Sequence, residues 1–157
     1  MQYVLVLVFW ITFFVFNSGY SITSPFYTHF TYMFSHASWL HIILNTYVFM
    51  VMYRVVKPYV KHLWLVIILI AFLASFLVEY SLPTMGASGM VYSMIGMFLW
   101  LVVSKVVSFP KRKNLILFIV SIILSFLISY FKESSATLLH FYCMVLGFVY
   151  SFLNYTI

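Results

Sequence analysis

The chain has 157 residues, of which 66% are hydrophobic and only 6% are charged. A soluble domain carries about 25% charged residues, so this composition excludes a soluble globular protein. We predict a single domain over residues 1–157 that is embedded in a lipid bilayer. The net charge of +6 does not indicate a nucleic-acid partner, because most of the basic residues are confined to two loops.

Six apolar stretches, each bounded by polar or turn residues, follow one another along the chain. A helix needs about 17–25 residues to span the hydrocarbon, so several stretches must include interfacial residues at their ends. Only backbone that satisfies its own hydrogen bonds is stable in lipid. The predicted fold class is therefore all-α and polytopic, with six transmembrane helices at residues 3–16, 34–53, 63–78, 89–103, 115–131 and 137–153.

The first stretch also admits a second interpretation, as a signal peptide, because the small residues Ser18 and Gly19 follow it. A signal peptide begins with a positively charged region, and no Lys or Arg precedes this stretch. We therefore favour a helix that is retained. Its removal would leave the orientation of the other five helices unchanged.

The loop charges predict the orientation in the membrane. Cytoplasmic loops carry an excess of Lys and Arg, and seven of the eight basic residues lie in loops on one side of the predicted bundle. That side is therefore predicted to be the cytoplasm. With six helices, both termini are predicted to lie there too. Lys132 and the two acidic residues, Glu79 and Glu133, fall on the outer side. The composition and small size favour a bacterial plasma membrane. The remaining basic residues lie in the loops after the second and fourth stretches: Arg54, Lys57, Lys61, Lys105, Lys111, Arg112 and Lys113.

Strongly polar side chains occur near the outer ends of three predicted helices. His36, His41 and Asn45 lie in the first turns of the second helix. Ser88 begins the fourth helix within Gly86-Ala87-Ser88-Gly89, and His140 lies about one turn into the sixth. With a rise of 1.5 Å per residue, these groups reach a common layer within roughly 10 Å of the outer interface. Polar groups at that depth are energetically expensive and indicate a functional site.

Helical periodicity also brings two of these groups together. Ser88, Tyr92 and Gly96 recur at i, i+4 and i+8, on one face of the fourth helix. On the sixth helix, His140 and Gly147 share a face. Small residues allow transmembrane helices to approach closely. We therefore predict that His140 comes within hydrogen-bond distance of Ser88.

These residue types suit acyl transfer. A serine hydroxyl needs an adjacent base, and His140 can take the proton of Ser88 and return it to the leaving amine. His41, Asn45 and the backbone N–H of Ser88 can stabilise an oxyanion. The chain contains no Asp, so we expect the ring of Tyr92, rather than an acid, to orient the imidazole.

The chain resembles the rhomboid family of intramembrane serine proteases over the whole six-helix core. The resemblance implies a rhomboid-like bundle and a Ser–His dyad that cleaves transmembrane protein substrates near the outer face, without a metal or cofactor. It also implies an oxyanion hole from His41, Asn45 and the Ser88 backbone, with His36 in a supporting position. The matching residues are His36, His41 and Asn45 of the His-x4-His-x3-Asn pattern; Gly86, Ser88, Gly89 and Tyr92 of the nucleophile motif; Gly96; His140; and Gly147.

Three features depart from the family pattern. The first loop, residues 18–35, is short and has neither Trp nor Arg. Leu139 stands before the base where Ala is usual, and Cys143 replaces the first glycine after it. None of these removes a reacting group, so we interpret them as altered packing in an active enzyme.

Other interpretations predict different patterns. Gly86-Ala87-Ser88-Gly89 or His140 alone is typical of helix packing, so the hypothesis depends on their combination. An inactive rhomboid-like protein that binds or escorts membrane proteins is the alternative, but it typically lacks Ser88 or His140. A transporter or channel would have polar residues across the whole membrane. A metal site at His36 and His41 is disfavoured because their spacing differs from i, i+4. The sequence selects neither a particular substrate nor an oligomeric state.

Overall fold

The computed structural model describes residues 1–15, 18–109, 112–130 and 136–154. Within these ranges the only extended pairing is a single bridge between Tyr20 and Thr84. The predicted all-helical class is confirmed. The described ranges contain seven α-helices, and a 3₁₀ turn, Ser75–Leu77, extends the fourth of them. They are α1 (Gln2–Val15), α2 (Thr28–Thr31), α3 (Trp39–Val56), α4 (Leu63–Ala74), α5 (Ser88–Val103), α6 (Arg112–Tyr130) and α7 (Thr137–Asn154).

Among the residues that the structure describes, two helices, α3 and α7, are long and apolar enough to cross a membrane, with 18 residues each. Helices α1 and α5 and the segment Leu63–Leu77 are apolar but shorter. That six helices span the bilayer therefore stays a prediction. The charged residues Lys111, Lys132 and Glu133, which entered the predicted orientation, lie outside the described residues.

The start of α3 differs from the sequence prediction. The side chain of Ser38 accepts the N–H of His41 at 3.2 Å, and this N-cap fixes the first helical residue as Trp39. The prediction that His36 lies in the first turn of this helix is wrong, since His36 precedes the cap. The short helix α2, which lies in the first loop, was also not predicted.

Helix α5 is the centre of the molecule. It contacts α3, α4 and α7, and its contact with α7 is the most extensive between any two elements. Two glycines make this contact possible: a Cβ on Gly96 would overlap the carbonyl of Met144, and one on Gly147 would overlap the carbonyl of Ser93. The two helices therefore pack backbone against backbone.

Helices α1 and α6 lie at the periphery. Phe9 of α1 is fully buried, and its ring packs edge-on against Phe49 of α3 with centroids 5.2 Å apart. No side chain that the structure describes on α6 is buried. The apolar outer surfaces of both helices suit contact with lipid.

Candidate active site

The loop before α5 sets the position of Ser88, which is the first residue of that helix. Gly86 has a φ of +130°, a conformation that favours glycine, and its N–H donates to the carbonyl of Tyr32 at 2.9 Å. A Cβ at Gly86 would lie 2.8 Å from His41 Nε2 and 3.1 Å from Asn45 Nδ2. Glycine is therefore required at position 86, both because φ is positive and because a Cβ would be too close to His41 and Asn45.

His140, the fourth residue of α7, meets Ser88 across the glycine-lined interface. Its Nε2 lies 2.7 Å from Ser88 Oγ, which is within reach for proton transfer. The ring of Tyr92, one turn after Ser88, stacks on the imidazole with centroids 4.4 Å apart and planes 15° apart. This stacking restricts the orientation of the imidazole.

Tyr92 also has a second contact that sequence reasoning missed. Its hydroxyl donates to Ser125 Oγ on α6 at 2.7 Å, and its ring packs against Phe126 with centroids 5.0 Å apart. The available signal was three serines, at positions 121, 125 and 129, which recur at i, i+4 and i+8 in an apolar stretch of the sequence. One side chain thus contacts the imidazole and the neighbouring helix together.

Three N–H donors lie around Gly86. His41 Nδ1 accepts the N–H of Ala37 at 3.4 Å, and this partner assigns the ring proton to Nε2. Asn45 Nδ2 is buried and has no hydrogen-bond partner among the described residues. The N–H of Ser88 opens α5, where no intrahelical carbonyl is available and the helix dipole favours negative charge. An oxyanion at this point would be stabilised by all three.

The hydrogen bond of His36 to the loop before α5 goes to Ala87, the residue before Ser88. His36 is buried, its Nδ1 lies 3.1 Å from the carbonyl oxygen of Phe34, and its Nε2 accepts the N–H of Ala87 at 3.4 Å. Its ring stands edge-on to His41 with centroids 5.3 Å apart. It therefore connects the segment before α3 to the residue before Ser88.

The packing around Gly89 accounts for one departure from the family pattern. A Cβ at Gly89 would lie 3.3 Å from Cys143 Sγ and 3.3 Å from Tyr32 Oη. The larger Cys143 side chain thus occupies space next to a glycine on the facing helix. Leu139 is also accommodated, since it is buried.

A cavity of about 580 Å³ opens from this site between α3, α5 and α6. Its polar end is formed by His41, Asn45, Ser88 and His140. An apolar cavity with a few convergent polar groups is typical of a binding site. The apolar lining consists mainly of Leu44, Val48, Met52, Val91, Ile95, Phe118 and Ile122.

The described part of the chain brings together no three His, Cys, Asp or Glu side chains in a geometry suited to a metal ion. Glu79, the acidic residue that the structure describes, is exposed in the loop before Ser88. Within the described ranges, the groups around Ser88 are therefore hydrogen-bonding and aromatic rather than acidic.

Comparison with known proteins identifies the family. A family model described as the Rhomboid domain matches residues 23–156, which is most of the chain. No curated protein matches the sequence. The chain belongs to the rhomboid family, whose members are integral membrane proteins and usually intramembrane serine proteases.

Proposed function

We propose that this protein is an intramembrane serine endopeptidase with a Ser88–His140 dyad. The observation that carries the proposal is the 2.7 Å contact between His140 Nε2 and Ser88 Oγ. A buried donor on Asn45 next to Gly86, which has no hydrogen-bond partner in the part of the chain that the structure describes, supports it independently. A polar donor of this kind is expensive to bury, so it suits a site that receives an oxyanion.

The reaction follows from these positions. Ser88 Oγ attacks the peptide carbonyl carbon while its proton passes to His140 Nε2, and the carbonyl oxygen becomes an oxyanion held by His41, Asn45 and the Ser88 N–H. The C–N bond then breaks and His140 gives the proton to the leaving amine. Water attacks the acyl-enzyme by the same route, which releases the second product and restores Ser88.

The substrate class we propose is a transmembrane protein, cleaved near the outer face of the membrane. The cavity supports this, because its wall beyond the polar end is largely apolar and suits a hydrophobic segment.

The proposed enzyme is one domain, residues 1–157, with both termini in the cytoplasm. A cysteine introduced at Leu82 should react with an impermeant maleimide from outside intact cells, and one at Lys111 only after permeabilisation. The reverse pattern would contradict the orientation.

The test is covalent labelling of the purified protein by a fluorophosphonate, with mass spectrometry to locate the adduct. We expect one adduct, on Ser88, that is lost in Ser88→Ala and His140→Ala. Ser93→Ala is the matched control, since Ser93 lies on the same helix but bonds to the carbonyl of Met90. It should label normally. An unlabelled wild-type protein would favour the alternative, an inactive rhomboid-like protein that binds or escorts membrane proteins.

A further inference from the structure

The short first loop is paired with the loop that leads to Ser88. The N–H of Tyr20 donates to the carbonyl of Thr84 and the N–H of Thr84 to that of Tyr20, each at 2.8 Å. The N–H of Ile22 donates to the carbonyl of Tyr80 at 2.8 Å, and the hydroxyl of Tyr20 donates to the carbonyl of Val78 at 3.0 Å. The backbone of Tyr80 is therefore held between these pairings.

From this fixed backbone, the side chain of Tyr80 reaches the start of α7. Its hydroxyl oxygen accepts the N–H of Leu139 at 3.0 Å. Leu139 is the third residue of α7, so its N–H has no carbonyl partner within the helix. The phenol of Tyr80 supplies that partner from a different segment of the chain.

This hydrogen bond joins the two segments that carry the dyad. Tyr80 stands in the loop that ends at Ser88, and Leu139 directly precedes His140. We propose that Tyr80 is a positioning residue, which fixes the first turn of α7 against the Ser88 loop and so sets the separation of Ser88 Oγ and His140 Nε2. This inference rests on the proposed function, since it concerns the same dyad.

If the Tyr80 hydroxyl only stabilised α7 as a cap, its removal would have a different effect. Loss of a capping hydrogen bond lowers the stability of a helix, but the folded molecules that remain would react at the normal rate. A positioning residue changes the reactivity of the folded molecules themselves, because proton transfer depends closely on the distance between the two atoms.

The experiment compares Tyr80→Phe with the wild-type protein. The rate of fluorophosphonate reaction at Ser88, measured per folded molecule, should fall by about tenfold. A 1 Å misplacement of a reacting group can reduce a rate by about 10²-fold, and we expect loss of the Tyr80 hydroxyl to displace His140 by less than that. For a model transmembrane substrate, kcat should fall by the same factor with KM unchanged. A wild-type rate in folded Tyr80→Phe would overturn the inference.

Tyr20→Phe is the matched control. It removes the same chemical group from the same pair of loops, but the hydroxyl of Tyr20 bonds to Val78 rather than to α7. Its labelling rate should stay close to that of the wild type. An equal loss in both variants would assign the effect to the loop pairing and overturn the role of the Tyr80–Leu139 bond.

A second substitution decides the matter if Tyr80→Phe does not fold. 4-Aminophenylalanine at position 80 keeps the size of the side chain but replaces the oxygen with a poor acceptor, so the labelling rate should again fall. An unchanged rate would overturn the inference. Failure of wild-type Ser88 to react at all is a distinct result, which would overturn the proposed function itself.

Discussion

Helices α6 and α7 both flank α5, but they are held to it in different ways. Helix α7 packs through Gly96 and Gly147, with backbone against backbone. Helix α6 is joined to α5 by side chains: the contacts of Tyr92 with Ser125 and Phe126, and the rings of Phe98 and Phe118 with centroids 5.2 Å apart. Helix α7 buries residues along its length, whereas no described side chain of α6 is buried.

The difference matches the demands of the two interfaces. The α5–α7 interface carries Ser88 and His140, whose 2.7 Å contact tolerates little displacement. Backbone packing cannot relax by a change of rotamer, so it holds that distance firmly. The α5–α6 interface lines the cavity with flexible side chains. We therefore expect substitutions between α5 and α7 to abolish the chemistry, and those between α5 and α6 to reduce it.

The largest effect should come from Gly147→Leu. Any Cβ at this position overlaps the carbonyl of Ser93, and the clash can be relieved only by moving α7 and with it His140. We expect loss of Ser88 labelling together with a lower thermal stability. Ser121→Leu, which also introduces a leucine but at an exposed position on α6, should leave a folded protein that still labels. Normal labelling of Gly147→Leu would show that the close approach of α5 and α7 is not required.

Asn45→Ala should have the next largest effect. Removal of one donor from an oxyanion site lowers turnover by about 10²–10³-fold, and KM should be largely retained because the donor acts on the transition state. Thr46→Val is the control, since Thr46 Oγ1 is also buried without a described partner but does not line the cavity. The assigned role would be wrong if Asn45→Ala changed KM alone.

Substitutions of Tyr92 should distinguish the effect of its contact with His140 on α7 from the effect of its contact with Ser125 on α6. Tyr92→Ala removes the ring stacked on His140 and should lose much of the activity while the protein stays folded. Tyr92→Phe keeps the ring and loses only the bond to Ser125, which contributes about 0.5–1.5 kcal/mol, so most activity should remain. Ser125→Ala should match Tyr92→Phe. Severe and equal loss in all three variants would identify the hydroxyl as the essential group.

The sequence predicted the helices and the motif residues because both follow from local patterns. Apolar stretches fix the helices, and the spacing of Ser88, Tyr92 and Gly96 fixes a common face. It did not predict the hydrogen bonds of Tyr80 to Leu139 and of Tyr92 to Ser125. Each joins residues that are distant in the chain, and although the serines of α6 recur periodically, the choice of partner depends on tertiary packing.

The error in the predicted start of α3 has a local cause. Hydrophobicity alone predicts that this helix begins at Phe34. The side chain of Ser38 forms the N-cap instead, so α3 begins at Trp39. His36 was assigned to that helix for the same reason. The serine three residues before His41 was the signal that identifies the true boundary.

The most direct test of the Ser88–His140 dyad is proteolysis in reconstituted vesicles. Wild-type protein, Ser88→Ala, His140→Ala and the control Ser93→Ala would each be incorporated with a model transmembrane substrate, and the products identified by mass spectrometry. We predict cleavage by the wild type and by Ser93→Ala, and none by the two dyad variants when they are folded and inserted. Undiminished cleavage by either folded dyad variant would contradict the account.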